Sequence, residues 1–215
     1  MRGDGDGWAT SPDGRRHWGK FGAAGLLLRA PLADGSPAVL LQHRALWSHE
    51  GGTWALPGGA RDSHESTANA AVREAEEEAG IEAQKITVRG EAVTMEVPGG
   101  WSYTTVMADA PEPLATILNG ESTELRWVPE SKVAHLPLHP GFEDGWTRLR
   151  TQGFSVNPDD VDQLADRGVT IPRTIALPTG GFGWLRPRTE AVETSSDDIV
   201  DAATVLGWLD LSDAN

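Results

Sequence analysis

Glu74, Glu77 and Glu78 stand at i, i+3 and i+4 in the run Val72 to Ile81, VREAEEEAGI. On a helix this spacing sets three carboxylates side by side on one face. Three adjacent negative charges repel, which raises their pKa values or loosens the helix unless cations sit among them. Hard oxygen ligands in such a cluster suit Mg²⁺, with Mn²⁺ as a substitute. An ion so held would neutralise phosphate charge and help to deprotonate a water. Taken by themselves, helical carboxylates also fit a solvated acidic face.

A strand, a glycine turn and a helix must position that face. Thr53 to Leu56 reads as a strand that Pro57-Gly58-Gly59 cannot continue. Ser63 is the predicted N-cap of the helix, with Glu65 in the first turn, where a negative charge suits the helix dipole. Gly80 ends the helix as the residue just past its C-cap. Ala68, Ala71, Val72, Ala75 and Ala79 form the opposite face and are small enough to let the helix lie close to a sheet.

The order of residues is Gly59, five residues, Glu65, seven residues, Arg73-Glu74, Ala75, one residue, Glu77-Glu78, one residue, Gly80-Ile81. This resembles the complete Nudix box, and the flanking residues are most similar to the MutT-like branch and its actinobacterial members. The resemblance implies an α/β Nudix fold, a mixed β-sheet sandwiched between helices, over about Gly19 to Arg150. It implies a pyrophosphatase for nucleoside diphosphates linked to another group. It also implies that Glu74, Glu77 and Glu78 hold the metal, helped by the backbone carbonyl of Gly58, with Glu121 as a further ligand. One glutamate then acts as general base: Glu74 is favoured, with Glu121 as rival. Arg73 orients a box glutamate by an ion pair, and Glu65 has a weaker claim to the metal. Glu121 is reached by counting back six residues from Trp127, and Glu124 is the competing assignment.

Substrate contacts follow from the same resemblance. Arg44, at the end of an apolar strand, matches an arginine that contacts substrate phosphate, and a guanidinium suits phosphate because it donates in a planar fork. Leu56 matches a residue placed against the base. His139 stands where the mutator enzyme uses an asparagine to read the purine edge. An amide donates and accepts together, whereas a neutral imidazole does so only through two different nitrogens. The expected reaction is Mg²⁺-dependent cleavage of a nucleoside triphosphate, oxidised ones such as 8-oxo-dGTP included, to monophosphate and pyrophosphate. ADP-ribose, a dinucleotide or a nucleotide sugar are alternative substrates. Pro98 lies near, but not at, the distance from the box that cues ADP-ribose. A catalytically silent nucleotide-sensing module is the second alternative. Such modules usually show eroded boxes, and this one keeps all three glutamates.

Composition narrows the partners. The chain has 215 residues, enough for one domain with a sizeable core and an extension. A net charge of -14 argues against wrapping a nucleic-acid polymer, whereas a free nucleotide can be bridged to the protein by metal ions. With no cysteine there is no disulfide, thiolate site or cysteine nucleophile. The N-terminus lacks an apolar signal core, and the apolar stretch Phe21 to Leu28 is too short to span a bilayer. A cytoplasmic protein without membrane contact is the default, and a homodimer is the default assembly.

The rest of the chain falls into three parts: a lead-in at 1–18, the Nudix hydrolase domain at 19–153 and an extension at 154–215. Asp4 and Asp6 belong to a flexible lead-in, and Trp8 and Trp18 to the arms of a hairpin turned at Ser11-Pro12-Asp13-Gly14. Phe21 to Arg29 and Ala38 to Arg44 read as strands covered on both faces. Lys85 to Val97 and Trp101 to Asp109 read as a strand pair, and Glu121 to Pro129 as a further strand. A short helix at Ser131 to Ala134 and one at Gly141 to Arg150 follow. In the extension, Asn157-Pro158 starts a helix that Gly168 ends. Val169 to Leu177 and Phe182 to Arg186 form a hairpin, and Arg188 to Thr194 is a linker. Asp197 to Leu209 forms a helix with Ile199, Ala202, Val205, Leu206 and Leu209 inward. This tail is too small for an independent domain and is expected to pack on the core or on a second subunit.

Overall fold

Trp8 and Trp18 face each other across the first hairpin, where β1 (Trp8–Thr10) pairs antiparallel with β2 (Arg16–Trp18) and the two rings lie 5.3 Å apart. The computed structural model describes residues 3–189 and 197–212, with only the backbone described at 211 and 212; residues 190–194 of the expected linker lie outside these. The lead-in is tied down rather than loose. The Gly5 amide donates to Asp62 Oδ1 (2.7 Å), and Ser63 donates to Asp4 through its amide (3.0 Å) and hydroxyl (2.5 Å).

Seven strands form the main sheet: β3 (Ala23–Pro31), β4 (Pro37–Arg44), β5 (Trp54–Ala55), β6 (Gly58–Ala60), β7 (Thr87–Glu96), β8 (Ser102–Asp109) and β9 (Ser122–Pro129). The path runs β5-β4-β3-β8-β7, with β6 on β3 and β9 on β4. β3 and β8 are parallel and every other pair is antiparallel, so the sheet is mixed. Alternate residues of β3 feed two cores. Ala24, Leu26 and Leu28 pack under α1 (Thr67–Ala79), against Ala70, Ala71, Ala75 and Ala79. Leu27 packs on the other face with Val39, Leu41, Trp54 and Leu56. That face is covered by Val133 of α2 (Glu130–Val133) and by Phe142, Trp146 and Leu149 of α3 (Pro140–Leu149). Each fully buried leucine contributes roughly 1.5–3 kcal/mol, which is why β3 reads as an unbroken apolar run.

The glycines after Pro57 do more than turn the chain. Gly58 and Gly59 pair with Gly25 and Ala24 as part of β6. A Cβ on Gly58 would lie 2.5 Å from the Ala24 oxygen, so only glycine permits this approach.

A second, four-stranded sheet has the order β11-β12-β10-β13. Its members are β10 (Thr151–Val156), β11 (Arg173–Ala176), β12 (Phe182–Pro187) and β13 (Asp198–Val200), with α4 (Pro158–Asp166) and α5 (Ala202–Ser212) packed on it. β11 and β12 form the hairpin, whereas β12 and β13 both lie parallel to β10. The helix expected from Asp197 therefore starts only at Ala202. Asp198 to Val200 extends the sheet instead, and Ile199 is 54% exposed rather than inward. The β-branched pair Ile199-Val200 favours the strand, and Asp201 then starts the helix by accepting from the Thr204 amide at 2.8 Å. Ala202 and Val205 are buried as the amphipathic pattern requires.

Buried polar groups join this sheet to the main one. Asp109, at the end of β8, accepts from Arg89 Nε (2.8 Å) and from both the amide and the hydroxyl of Thr174 (2.7 Å each). Glu130 accepts from Arg29 Nε at 2.9 Å and from Thr151 through its amide and hydroxyl. Trp184 Nε1 donates to the Gly35 carbonyl at 3.0 Å. No helix of the described residues is long and apolar enough to cross a membrane.

Asp109→Ala strips three donors of their buried acceptor. We expect it to cost on the order of 3 kcal/mol in urea unfolding and to make the 151–212 region the first to be cut by protease. Wild-type stability in that variant would show that Asp109 does not anchor the second sheet.

Candidate active site

α1 begins at Thr67, not near Ser63. Ser66 caps it, its hydroxyl accepting from the Asn69 amide at 3.1 Å. Glu65 thus precedes the helix instead of lying in its first turn. Arg73 holds it there, donating from Nε to Glu65 Oε1 (2.7 Å) and from Nη2 to Oε2 (2.9 Å). This bidentate pair keeps the Glu65 carboxyl below its ordinary value and the Arg73 guanidinium firmly charged. Gly80 closes the helix at φ +69°, returning its amide to the carbonyls of the last turn.

The same guanidinium reaches the box glutamates. Arg73 Nη1 donates to Glu74 Oε1 at 2.8 Å and lies 3.8 Å from Glu77 Oε2. Glu74 is nearly enclosed, and a Cβ on Gly59 would sit 2.7 Å from its carboxylate, so the glycine makes room for that group. Burial pushes the Glu74 carboxyl up, Arg73 partly offsets this, and Glu77 adds to the rise. Glu77 points outward with 60% of its side chain exposed.

Glu78 is the deepest of the three. Its Oε2 accepts from the Gly58 amide (2.8 Å) and from Gln42 Nε2 (3.0 Å). Gln42 also donates to the Leu56 carbonyl (3.0 Å) and accepts from the Ser122 hydroxyl (2.5 Å), so one amide ties β4, β5–β6, β9 and α1 together. Burial pushes Glu78 up to about 8, with the Gly58 amide opposing and Glu74 and Glu121 reinforcing the shift. A cluster of oxygen donors whose buried member resists ionising lacks positive charge. A hard divalent cation fits that deficit.

The remaining predicted residues fall around this cluster. Glu121 is exposed just before β9, close enough to act on Glu78, and its carbonyl accepts from the Ala45 amide at 2.9 Å. The competing Glu124 is engaged by Arg126 at 2.6 Å. Arg44, half-buried at the end of β4, donates to the His49 carbonyl (3.0 Å), and its charge is felt by both Glu78 and His139. Leu56 is 4% exposed and packed in the second core. His139 caps α3: its Nδ1 accepts from the Gly141 amide at 3.1 Å, which leaves the ring proton for Nε2. Burial, then Arg44 and His49, hold this imidazole below its usual pKa, so it is neutral at pH 7.

Two residues beside this cluster carry no signal in the sequence. Gln42 is a lone amide in an apolar strand, and Tyr103 looks like any strand aromatic. Tyr103 places its hydroxyl over Gly25, where a Cβ would collide with it. Both depend on strand register, which no local motif reveals.

The family model described as NUDIX domain matches residues 22–149. A Mycobacterium tuberculosis protein named "Putative 8-oxo-dGTP diphosphatase 3" is 58% identical over 191 residues, 87% of each chain. A Bifidobacterium longum nucleoside triphosphate pyrophosphatase/Nudix hydrolase fusion protein is 44% identical over 152 residues, 67% of this chain and 31% of that one. The crystal structure of a Nudix hydrolase from M. smegmatis, RenU, shares 55% identity at a TM-score of 0.66, over 79% of this chain and 100% of that one.

The Glu78 shift carries a stability signature. A carboxyl raised from 4.5 to about 8 makes the folded protein hold a proton that the unfolded chain releases. In metal-free protein the group's contribution is therefore intact below pH 4.5 and lost as pH rises toward 8, by on the order of a few kcal/mol. Glu78→Gln should flatten the decline in Tm between pH 5 and 8. Added Mg²⁺ should raise Tm more at pH 8 than at pH 6, and equal shifts would contradict the assignment.

Proposed function

We propose, from the premise that this chain belongs to the Nudix family and is a hydrolase of it, that it cleaves nucleoside triphosphates to monophosphate and pyrophosphate, with 8-oxo-dGTP the first candidate. The observation that carries the choice of substrate is the 58% identity, over 87% of both chains, to the protein named as an 8-oxo-dGTP diphosphatase.

Glu74, Glu77 and Glu78 would hold Mg²⁺, or Mn²⁺ in its place, with the Gly58 carbonyl and Glu121 completing the oxygen set. When bound, the ion neutralises phosphate charge and lowers the pKa of a coordinated water. The chain does the rest. A water oxygen bonds to phosphorus, the bridging P–O bond breaks, and the water's proton passes to a carboxylate. Glu74 is the favoured acceptor, since its enclosure raises its basicity, with Glu121 as rival. Arg73 is a positioning residue: by holding Oε1 of Glu74 it aims the other oxygen. Arg44 would take a phosphate oxygen, and Leu56 would lie against the base. His139 would offer the base a single donor, Nε2–H, because its Nδ1 is spent on the helix cap. The substrate is a free nucleotide, so the proposed location is the cytoplasm, and the proposed assembly is a homodimer.

Two measurements test this. The first is a Mg²⁺-dependent panel of 8-oxo-dGTP, 8-oxo-GTP, dGTP, ADP-ribose, NADH and a diadenosine polyphosphate, with products identified. We expect monophosphate and pyrophosphate from the oxidised guanine nucleotides; preference for ADP-ribose or a dinucleotide would overturn the substrate reading. The second is Glu77→Gln, which should lower kcat roughly 10²–10³-fold with Tm unchanged, because it removes a ligand and no packing. Full turnover in that variant would remove Glu77 from the site.

A further inference from the structure

Tyr103 lies one strand away from the metal helix, on β8. Its neighbours in register are Ala23 of β3 and Met95 of β7, so it sits inside the sheet rather than on an edge. Its hydroxyl crosses over Gly25, and the point where a Gly25 side chain would begin is 3.3 Å from the Pro57 carbonyl. Gly25 is the partner of Gly58 in the β3–β6 pair, and the Gly58 amide is the one bound to Glu78. The phenol therefore ends beside the corner where strand, glycines and metal helix meet.

Three further facts single it out. No described residue hydrogen-bonds to the hydroxyl, and the hydroxyl is not sealed in the core. A half-buried phenol without a protein partner is a free donor. The charges acting on it are Glu78, Arg44 and Glu74, the groups that would flank a phosphate chain lying between the metal cluster and Arg44. Burial first, then Glu78 and Glu74 against the opposing Arg44, keeps the phenol protonated. It is thus a neutral donor close to Arg44 and the box glutamates.

We propose that the Tyr103 hydroxyl donates a hydrogen bond to a non-bridging phosphate oxygen of the bound nucleotide, and that Gly25 is glycine to let it do so. This rests on the nucleotide-hydrolase reading of the site. A donor so placed strengthens its contact as charge builds on the phosphoryl oxygens during attack, which makes Tyr103 a catalytic residue for this reaction.

Tyr103→Phe removes one oxygen and keeps the ring. Calorimetric titration of the Mg²⁺-loaded protein with the non-hydrolysable α,β-imido analogue of dGTP reads the contact without turnover. We expect roughly tenfold to hundredfold weaker binding in Tyr103→Phe, unchanged binding of the phosphate-free nucleoside deoxyguanosine, and unchanged Tm. A structural role would weaken both ligands and lower Tm together. The proposal is overturned if the imido analogue binds wild type and variant within about twofold, if both ligands weaken alike, or if wild type does not bind the analogue at all. Turnover by wild type decides the underlying reading separately: an enzyme that binds the imido analogue through Tyr103 yet cleaves no triphosphate would sink that reading and leave the contact standing. Gly25→Ala, which presses a methyl against the hydroxyl, should reproduce the loss in binding.

Discussion

The seating of Glu78 on the Gly58 amide and the Gln42 side chain is the constraint on which the site depends. A carboxyl buried this deeply is tolerated only because two donors meet one of its oxygens. Those donors come from a strand of glycines and from the centre of the sheet, so the bond fixes the height and rotation of α1 against β3. Once that is set, Glu74 falls over Gly59 and Glu77 faces outward. Arg73 then reaches back to Glu65 and down to Glu74. The alanines beneath the helix permit this closeness, since larger side chains would lift the carboxylates away from the glycines. The reluctance of Glu78 to ionise is the counterpart of its place in the fold, since the burial that seats it also disfavours its charge.

The box was legible because its parts are local. Glu74, Glu77 and Glu78, an arginine beside the first and a glycine at the end all lie on one helix, and helical spacing alone says what they face. Ser63 fits the local capping pattern, but Arg73 draws Glu65 out of the first turn, a contact that spans eight residues, and Ser66 caps instead. Gly58 and Gly59 have the composition of a turn yet form a strand, since their partner is β3, more than thirty residues earlier. Gln42 and Tyr103 were invisible for the same reason. Their positions come from pairings between β3, β4, β8 and α1, which no single local stretch of sequence spells out. The position of His139 is visible in the sequence, whereas the commitment of its Nδ1 to a helix cap is not.

The C-terminal part shows a different limit. Hairpin β11–β12 was plain from its turn residues. Strand β13 was not, because Ile199 and Val200 fit a helical pattern as well as a strand, and only an open edge on β10 decides between them. Polar contacts link it to the main sheet: Asp109 with Thr174, and Glu130 with Thr151. Arg29, fully buried, holds the Glu130 carboxylate that accepts from Thr151, and Phe182 of β12 adds an apolar contact with the main core.

The topology of that second sheet has a consequence for how the chain is made. β10 is flanked by β12 and β13, both parallel to it and both later in the sequence. Parallel partners cannot come from a tight turn, so β10 waits for residue 200 to be synthesised before both its edges are covered. Until then a six-residue strand with Phe154 and Val156 stands open beside a finished main sheet. Unpaired edges of this kind recruit other chains. The last strand therefore acts as a cover for a surface that is sticky only during synthesis, and chains cut short between β10 and β13 will be lost to aggregation before any defect in catalysis is seen.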